Sequence, residues 1–196
     1  MIQKVILLTL TLLTALLSPS QALAASDKCI KTSQTTDGPY YTKAITQSKI
    51  SASQNGYKVI YKLKIQNTLC RPLKGLTISI WQANAQGEYT LIKNSLRGNQ
   101  TTDKEGVVTY ESIFPGWYPT RASHLHIKIL SKEKTLLSTQ LFFPQQLVNK
   151  IYQTKPYLSR GPEQITKAKD QIYQSLPNPV DMSYIAPRTL TATITL

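Results

Sequence analysis

The chain has 196 residues, of which 41% are hydrophobic and 17% charged, and 23 Lys and Arg against 10 Asp and Glu give a formal net charge of +13. That length suits one domain with room for a real core, and the sequence shows no internal repeat and no low-complexity linker. So basic a chain invites a nucleic-acid reading, yet lysines such as Lys58, Lys62 and Lys64 are scattered along strands and turns with no run of five. The expectation is therefore no nucleic-acid partner, but a solvated basic surface able to attract anions or anionic envelope lipids.

At the start, Lys4 precedes an apolar run from Val5 to Leu17, followed by the small-residue cleavage pattern Ala22-Leu23-Ala24. This reads as a secretory signal peptide over residues 1–24, with one domain over 25–196 and no stable membrane span. An exported chain, periplasmic or secreted, meets an oxidising compartment, and its only two cysteines, Cys29 and Cys70, read as one disulfide. The chain-entropy model credits a loop of that size with about 4 kcal/mol. A metal site would need other soft ligands, and neither cysteine lies in a C-x-x-C pair.

From Tyr57 to Ile65, "YKVIYKLKI" places Tyr57, Val59, Tyr61, Leu63 and Ile65 on one face and mainly lysine on the other, the pattern of a half-buried antiparallel strand. "LTISIWQA" (Leu76–Ala83) repeats the period of two before the turn "NAQGEY". "GVVTYESI", "HLHIKIL", "LLSTQLFF" and the closing "LTATITL" follow, separated by Gly, Pro and Asn turns. The fold class is mainly β, an antiparallel sandwich or barrel. Helix is expected only over Pro162–Leu176, where Ile165, Ala168, Ile172 and Leu176 form one apolar stripe.

Both histidines of the chain stand in "FPGWYPTRASHLHIKIL". On a strand, residues two apart share a face, so His124, His126 and Lys128 lie opposite Leu125, Ile127 and Ile129. Two imidazoles on one face can hold one ion. Alone, H-x-H is a weak signal that more often marks two solvent-facing strand histidines, but Tyr118 and Arg121 stand just upstream and Tyr89 ends the turn after "WQANAQG".

Taken together, "TDGPYY" (Thr36–Tyr41), "RPLKGLTISIWQANAQGEY" (Arg71–Tyr89), "LRGNQTTDKEGVVTYESIFPGWYPTRASHLHI" (Leu96–Ile127) and "TQLFFP" (Thr139–Pro144) resemble, in order, the intradiol ring-cleavage (catechol and protocatechuate) dioxygenases. The resemblance implies the intradiol dioxygenase type of β-sandwich with few short helices, and an Fe(III) cofactor held by Tyr89, Tyr118, His124 and His126. Phenolate is a hard anionic donor suited to Fe(III), and neutral imidazole leaves room for exogenous ligands. The implied reaction opens a catechol-type ring between its two hydroxyls with O2, giving a muconate-type diacid. Tyr118 would accept a substrate proton, Arg121 would stabilise charge building on the ring, and Gln140 would hydrogen-bond a reacting oxygen. Gly38, Pro39 and Tyr40 would form part of the pocket wall, with Asp37 where the family usually has glutamate.

The N-terminal helical dimerisation segment of catechol dioxygenases has no counterpart in this sequence, which looks closer to a short exported branch. A homo-oligomer is compatible with the family. Two rivals from other classes stand beside the enzyme: a non-catalytic β-sandwich module binding aromatic or catecholate ligands, and a structural envelope protein contacting anionic surfaces.

Overall fold

The computed structural model describes residues 28–51, 53–90 and 95–196, so the expected signal peptide lies outside the described residues. Among the described residues nine strands form two stacked sheets. The first has the order β4-β1-β9-β8, from Val107–Ile113, Lys58–Gln66, Thr189–Thr195 and Ser183–Ile185. The second has the order β3-β2-β5-β6-β7, from Arg97–Thr101, Thr77–Trp81, His124–Ser131, Lys134–Phe142 and Val180–Asp181. Neighbours run antiparallel except β1 with β9 and β6 with β7. The mainly-β sandwich expected from the sequence is the architecture observed.

Alternation places the core. Val59, Tyr61, Leu63 and Ile65 of β1 are buried while Lys58, Lys62 and Lys64 are exposed, and Leu125, Ile127 and Ile129 of β5 face them from the second sheet. Each such aliphatic side chain contributes roughly 1.5–3 kcal/mol on burial. Two core tyrosines satisfy their hydroxyls by tying the sheets together: Tyr61 donates to Gln82 Oε1 at 2.8 Å and Tyr110 to the Ile78 carbonyl at 2.6 Å.

The arm before β1 seals this sandwich. Cys29 is disulfide-bonded to Cys70 as expected, with Cα atoms 5.3 Å apart. The arm then bonds to both sheets, through Thr32 N–H to the Thr195 carbonyl (2.9 Å) and Thr35 N–H to the Ser138 carbonyl (2.8 Å). Further on, Gln47 N–H reaches the Asn99 carbonyl at 3.1 Å.

The helical expectation is only partly met. Instead of one helix over Pro162–Leu176, the chain forms a 3-10 turn at Lys167–Lys169 and a short helix, α2, at Gln171–Ser175. Asp170 between them is extended (φ −74°, ψ 119°) because its side chain turns inward. Another helix, α1 at Gln145–Ile151, carries no strong sequence signal; it starts after Pro144 and buries Leu147, Val148 and Ile151. Among the described residues no helix is long and apolar enough to cross a membrane.

Candidate metal centre

Sequence periodicity predicts a polar outer face for His124, His126 and Lys128, and the structure buries that face too. His124, His126 and Lys128 are 2%, 4% and 8% exposed, so β5 is enclosed on both sides. Cross-strand register sets the neighbours: His126 lies opposite Trp81 on β2 and Gln140 on β6, and His124 opposite Phe142. The His126 ring stacks on the Trp81 indole with centroids 4.8 Å apart and planes 9° apart.

Two loops deliver the tyrosines. The turn after β2 is built by Asn84, whose Oδ1 accepts from the N–H groups of Gln86 (2.9 Å) and Glu88 (3.0 Å). Gly87 has φ +78°, and a Cβ there would meet the Trp117 carbonyl at 2.0 Å. A Cβ on Gly116 would likewise stand 2.2 Å from the Ala85 carbonyl. These two glycines let the loop ending in Tyr89 press against the loop carrying Tyr118. The second loop is pinned by Arg160, which donates from Nη1 to the Trp117 carbonyl (2.7 Å) and sits over the Trp117 ring.

The four expected ligands come together. Tyr118 Oη lies 3.2 Å from His124 Nε2, and the two histidine Nε2 atoms face each other at 3.1 Å. His124 Nδ1 lies 2.7 Å from the Ala122 carbonyl, so Nδ1 holds the hydrogen and Nε2 presents its lone pair inward. The Tyr89 ring meets Tyr118 and His126 edge-on, at 5.8 and 5.9 Å between centroids.

A metal fits this arrangement. Two donors about 2.1 Å from one first-row ion, at right angles to each other, stand about 3.0 Å apart, close to the spacing of the two Nε2 atoms. Tyr118 Oη and His126 Nε2 otherwise compete for one lone pair on His124, while the buried Tyr89 hydroxyl and His126 Nδ1 have no hydrogen-bond partner among the described residues. Among these residues no three His, Cys, Asp or Glu converge, so only a metal accepting phenolate oxygen suits the set.

Electrostatics prepares the imidazoles. Burial, reinforced by the Arg121 charge, lowers the His124 pKa to about 4. Burial, then the neighbouring His124 and Arg121, pushes His126 well down, so both rings stay neutral and ready to ligate. Burial raises both tyrosines, Tyr89 strongly, while Arg121 opposes the shift at each. Metal-free phenols here are neutral at pH 7, and cation binding must expel their protons.

Arg121 and Gln140 join the group: Arg121 Nη2 donates to Gln140 Oε1 at 2.5 Å. Of the expected pocket wall, Gly38 comes closest, since a Cβ on it would lie 3.4 Å from His126 Cε1. Tyr40 stacks on Tyr89 at 4.4 Å with its ring partly in solvent, while Pro39 is exposed beside them. Asp37 fixes this wall by accepting from Lys128 Nζ and from Ser138 Oγ. Sequence reasoning missed Trp81, Arg97 and Asp170. Arg97, 3% exposed, donates to the carbonyls of Tyr40 (3.2 Å) and Thr90 (2.7 Å), bracing the segments on either side of Tyr89. Asp170 accepts from Arg121 Nε at 2.9 Å. An Asp opening a helix was the only local signal for it, and that signal speaks of capping.

Two open clefts, of about 760 and 470 Å³, lie elsewhere, on the outer face of the first sheet, where no such donors converge. A two-sheet sandwich with two tyrosines and an H-x-H strand closing on one point is a donor set that would suit a metal ion. Comparison with known proteins gives the family: a profile described as Dioxygenase (Dioxygenase_C) matches residues 36–171, and the chain belongs to the intradiol ring-cleavage dioxygenases. It is 26% identical over 132 residues to a catechol 1,2-dioxygenase of Candida albicans, covering 54% of this chain and 43% of that protein. With a protocatechuate 3,4-dioxygenase beta chain of Burkholderia cepacia it is 28% identical over 107 residues, covering 45% and 46%. The chain thus spans about half the length of the curated relatives it matches. An intradiol ring-cleavage dioxygenase structure from Tetranychus urticae superposes with a TM-score of 0.76 at 24% identity, covering 86% of this chain and 94% of that one, a likeness of fold.

Proposed function

We propose that this chain is an exported Fe(III) intradiol dioxygenase, opening a catechol-type ring between its two hydroxyls with O2 to a muconate-type diacid. The approach of Tyr118 Oη (3.2 Å) and His126 Nε2 (3.1 Å) to His124 Nε2 carries the reading, with Tyr89 beside them. Tyr89, Tyr118, His124 and His126 would hold the iron, which when bound supplies a Lewis-acidic centre that two phenolates keep ferric.

The chain's own groups supply the rest. Tyr118 Oη, once metal binding has expelled its own proton, would be the base placed to take a hydroxyl proton from the substrate. Arg121 brings a fixed positive charge whose effect reaches Tyr89, Tyr118, His124 and His126, and the same charge stabilises an anionic ring. Gln140 holds Arg121 from beneath, and Gly38, Pro39 and Tyr40 form the outer wall, Gly38 admitting the arm close to His126. Trp81 backs the His126 ring and keeps that side dry. The export reading rests on the N-terminal sequence and is consistent with the Cys29–Cys70 disulfide. A homo-oligomer is part of the proposal only as the family's habit.

The test incubates purified mature protein with a panel of catechols under labelled dioxygen. The expected result is oxygen-dependent loss of a catechol with both labelled atoms in a ring-opened diacid. Ligand binding with no turnover across the panel would leave a binding module instead.

A further inference from the structure

Asp170 is the only fully buried carboxylate among the described residues. It reaches the site from the connection after α1, 49 residues from Arg121 in sequence. One oxygen, Oδ2, accepts from Arg121 Nε (2.9 Å) and the Ala122 N–H (2.8 Å). The other, Oδ1, accepts from the Tyr173 N–H at 3.0 Å and lies 3.4 Å from Arg121 Nη2. Burial alone would raise the Asp170 pKa; the bonds from Arg121, Tyr173 and Ala122 outweigh it and hold the carboxyl below its ordinary value. The expected helix breaks where this side chain turns inward, which is why the segment reads as one helix in sequence and not in space.

Arg121 is gripped from two sides. Its Nε and Nη2 face Asp170, and Nη2 also donates to Gln140, the cross-strand neighbour of His126. Nη1 is the one guanidinium nitrogen without a partner among the described residues. An arginine side chain has about 2 kcal/mol of rotamer entropy to lose, and a buried two-point contact removes that freedom before substrate arrives.

We propose that Asp170 is a positioning residue for the ring-opening step: it locks the Arg121 guanidinium through Nε and Nη2 and leaves Nη1 as the donor presented to the charge that builds on the substrate. This rests on the dioxygenase reading and adds to it a residue outside the ligand set. A purely structural Asp170 would cap α2 and satisfy the Ala122 N–H with no bearing on Arg121. The two roles separate in a double-mutant cycle.

The experiment uses the mature iron-loaded protein as wild type, Asp170→Asn, Arg121→Ala and the double variant, with iron content, KM and turnover at saturating catechol measured for each. Asp170→Asn should keep its iron and its KM within about twofold while turnover falls about 10- to 100-fold, less than the loss of an aimed charge. In the Arg121→Ala background the same substitution should change turnover less than about twofold, because its target is gone. Equal slowing in both backgrounds overturns the proposal. Arg121→Lys keeps the charge without the fork and should also turn over slowly with iron retained; wild-type turnover there contradicts the proposal, even if Asp170→Asn fails to fold. A readout free of catalysis is the Arg121 Nε–H signal in nitrogen-15 NMR of the metal-free protein. It should exchange slowly in wild type and be lost in Asp170→Asn, and its persistence would refute the lock. Wild-type protein that turns over no catechol sinks the dioxygenase reading, while the NMR arm still decides whether Asp170 holds Arg121.

Discussion

Strands β1 and β5 carry nearly the same pattern and end in opposite environments. On β1 the outward residues Lys58, Lys62 and Lys64 stand in solvent; on β5 the outward residues His124, His126 and Lys128 are buried. The difference lies in what covers them. Residues 37–41 of the arm cross the outer face of β5, where Asp37 accepts from Lys128 and Tyr41 packs against Trp81, and Asp170 and Tyr173 close the other end. Alternation decides which residues leave the core, and long-range cover decides whether they become a surface or a site.

The comparison breaks most completely at the histidines. His126→Ala should lose nearly all bound iron and its colour, since no nearby side chain can replace an imidazole at that reach, whereas Lys62→Ala should leave both unchanged. Metal analysis of the two purified variants checks this.

The next largest effect falls on the start of the arm. Replacing Cys29 and Cys70 together by serine should lower unfolding free energy by up to about 4 kcal/mol in denaturant titration, with iron per folded chain unchanged, because neither sulfur belongs to the donor set.

Acid should then expose the buried face. In metal-free protein the unfolded histidine titrates near 6.5 and folded His124 near 4, so between those values the unfolded chain binds more protons and stability rises with pH. Lowering pH from 6.5 to 4 should remove about 3 kcal/mol through His124, with His126 adding in the same direction. Asp170 has the depressed-carboxylate sign, its contribution being present above about 3.9 and lost as pH falls further. Denaturant midpoints across this range provide the measurement; a flat profile would contradict buried neutral imidazoles.

The smallest effect contrasts two lysines. Lys128→Ala removes the cation facing Asp37 and should cost about 1–2 kcal/mol, while Lys62→Ala on the open face should stay within about 0.5 kcal/mol.

Much of this was legible in sequence. The period of two in β1, β5 and β9 is read from Tyr61, Leu63, Ile127 and Ile194 because core burial is a local alternation. The proposed ligands Tyr89, Tyr118, His124 and His126 were nominated through linked motifs, and the structure brings their side chains together; H-x-H alone is shared with ordinary strand histidines. The burial of Lys128 was not, because its partner Asp37 is 91 residues away. Nor was Asp170, whose inward turn defeats the helical stripe around it for the sake of Arg121. Pairings across such distances leave no periodic trace in sequence.

The most direct test of the centre is ferric reconstitution of the purified mature protein, followed by metal analysis and a visible spectrum. The account predicts about one iron per chain and a colour from tyrosinate-to-Fe(III) charge transfer, as two phenolates beside two imidazoles require. A colourless protein that stays metal-free after reconstitution would contradict it.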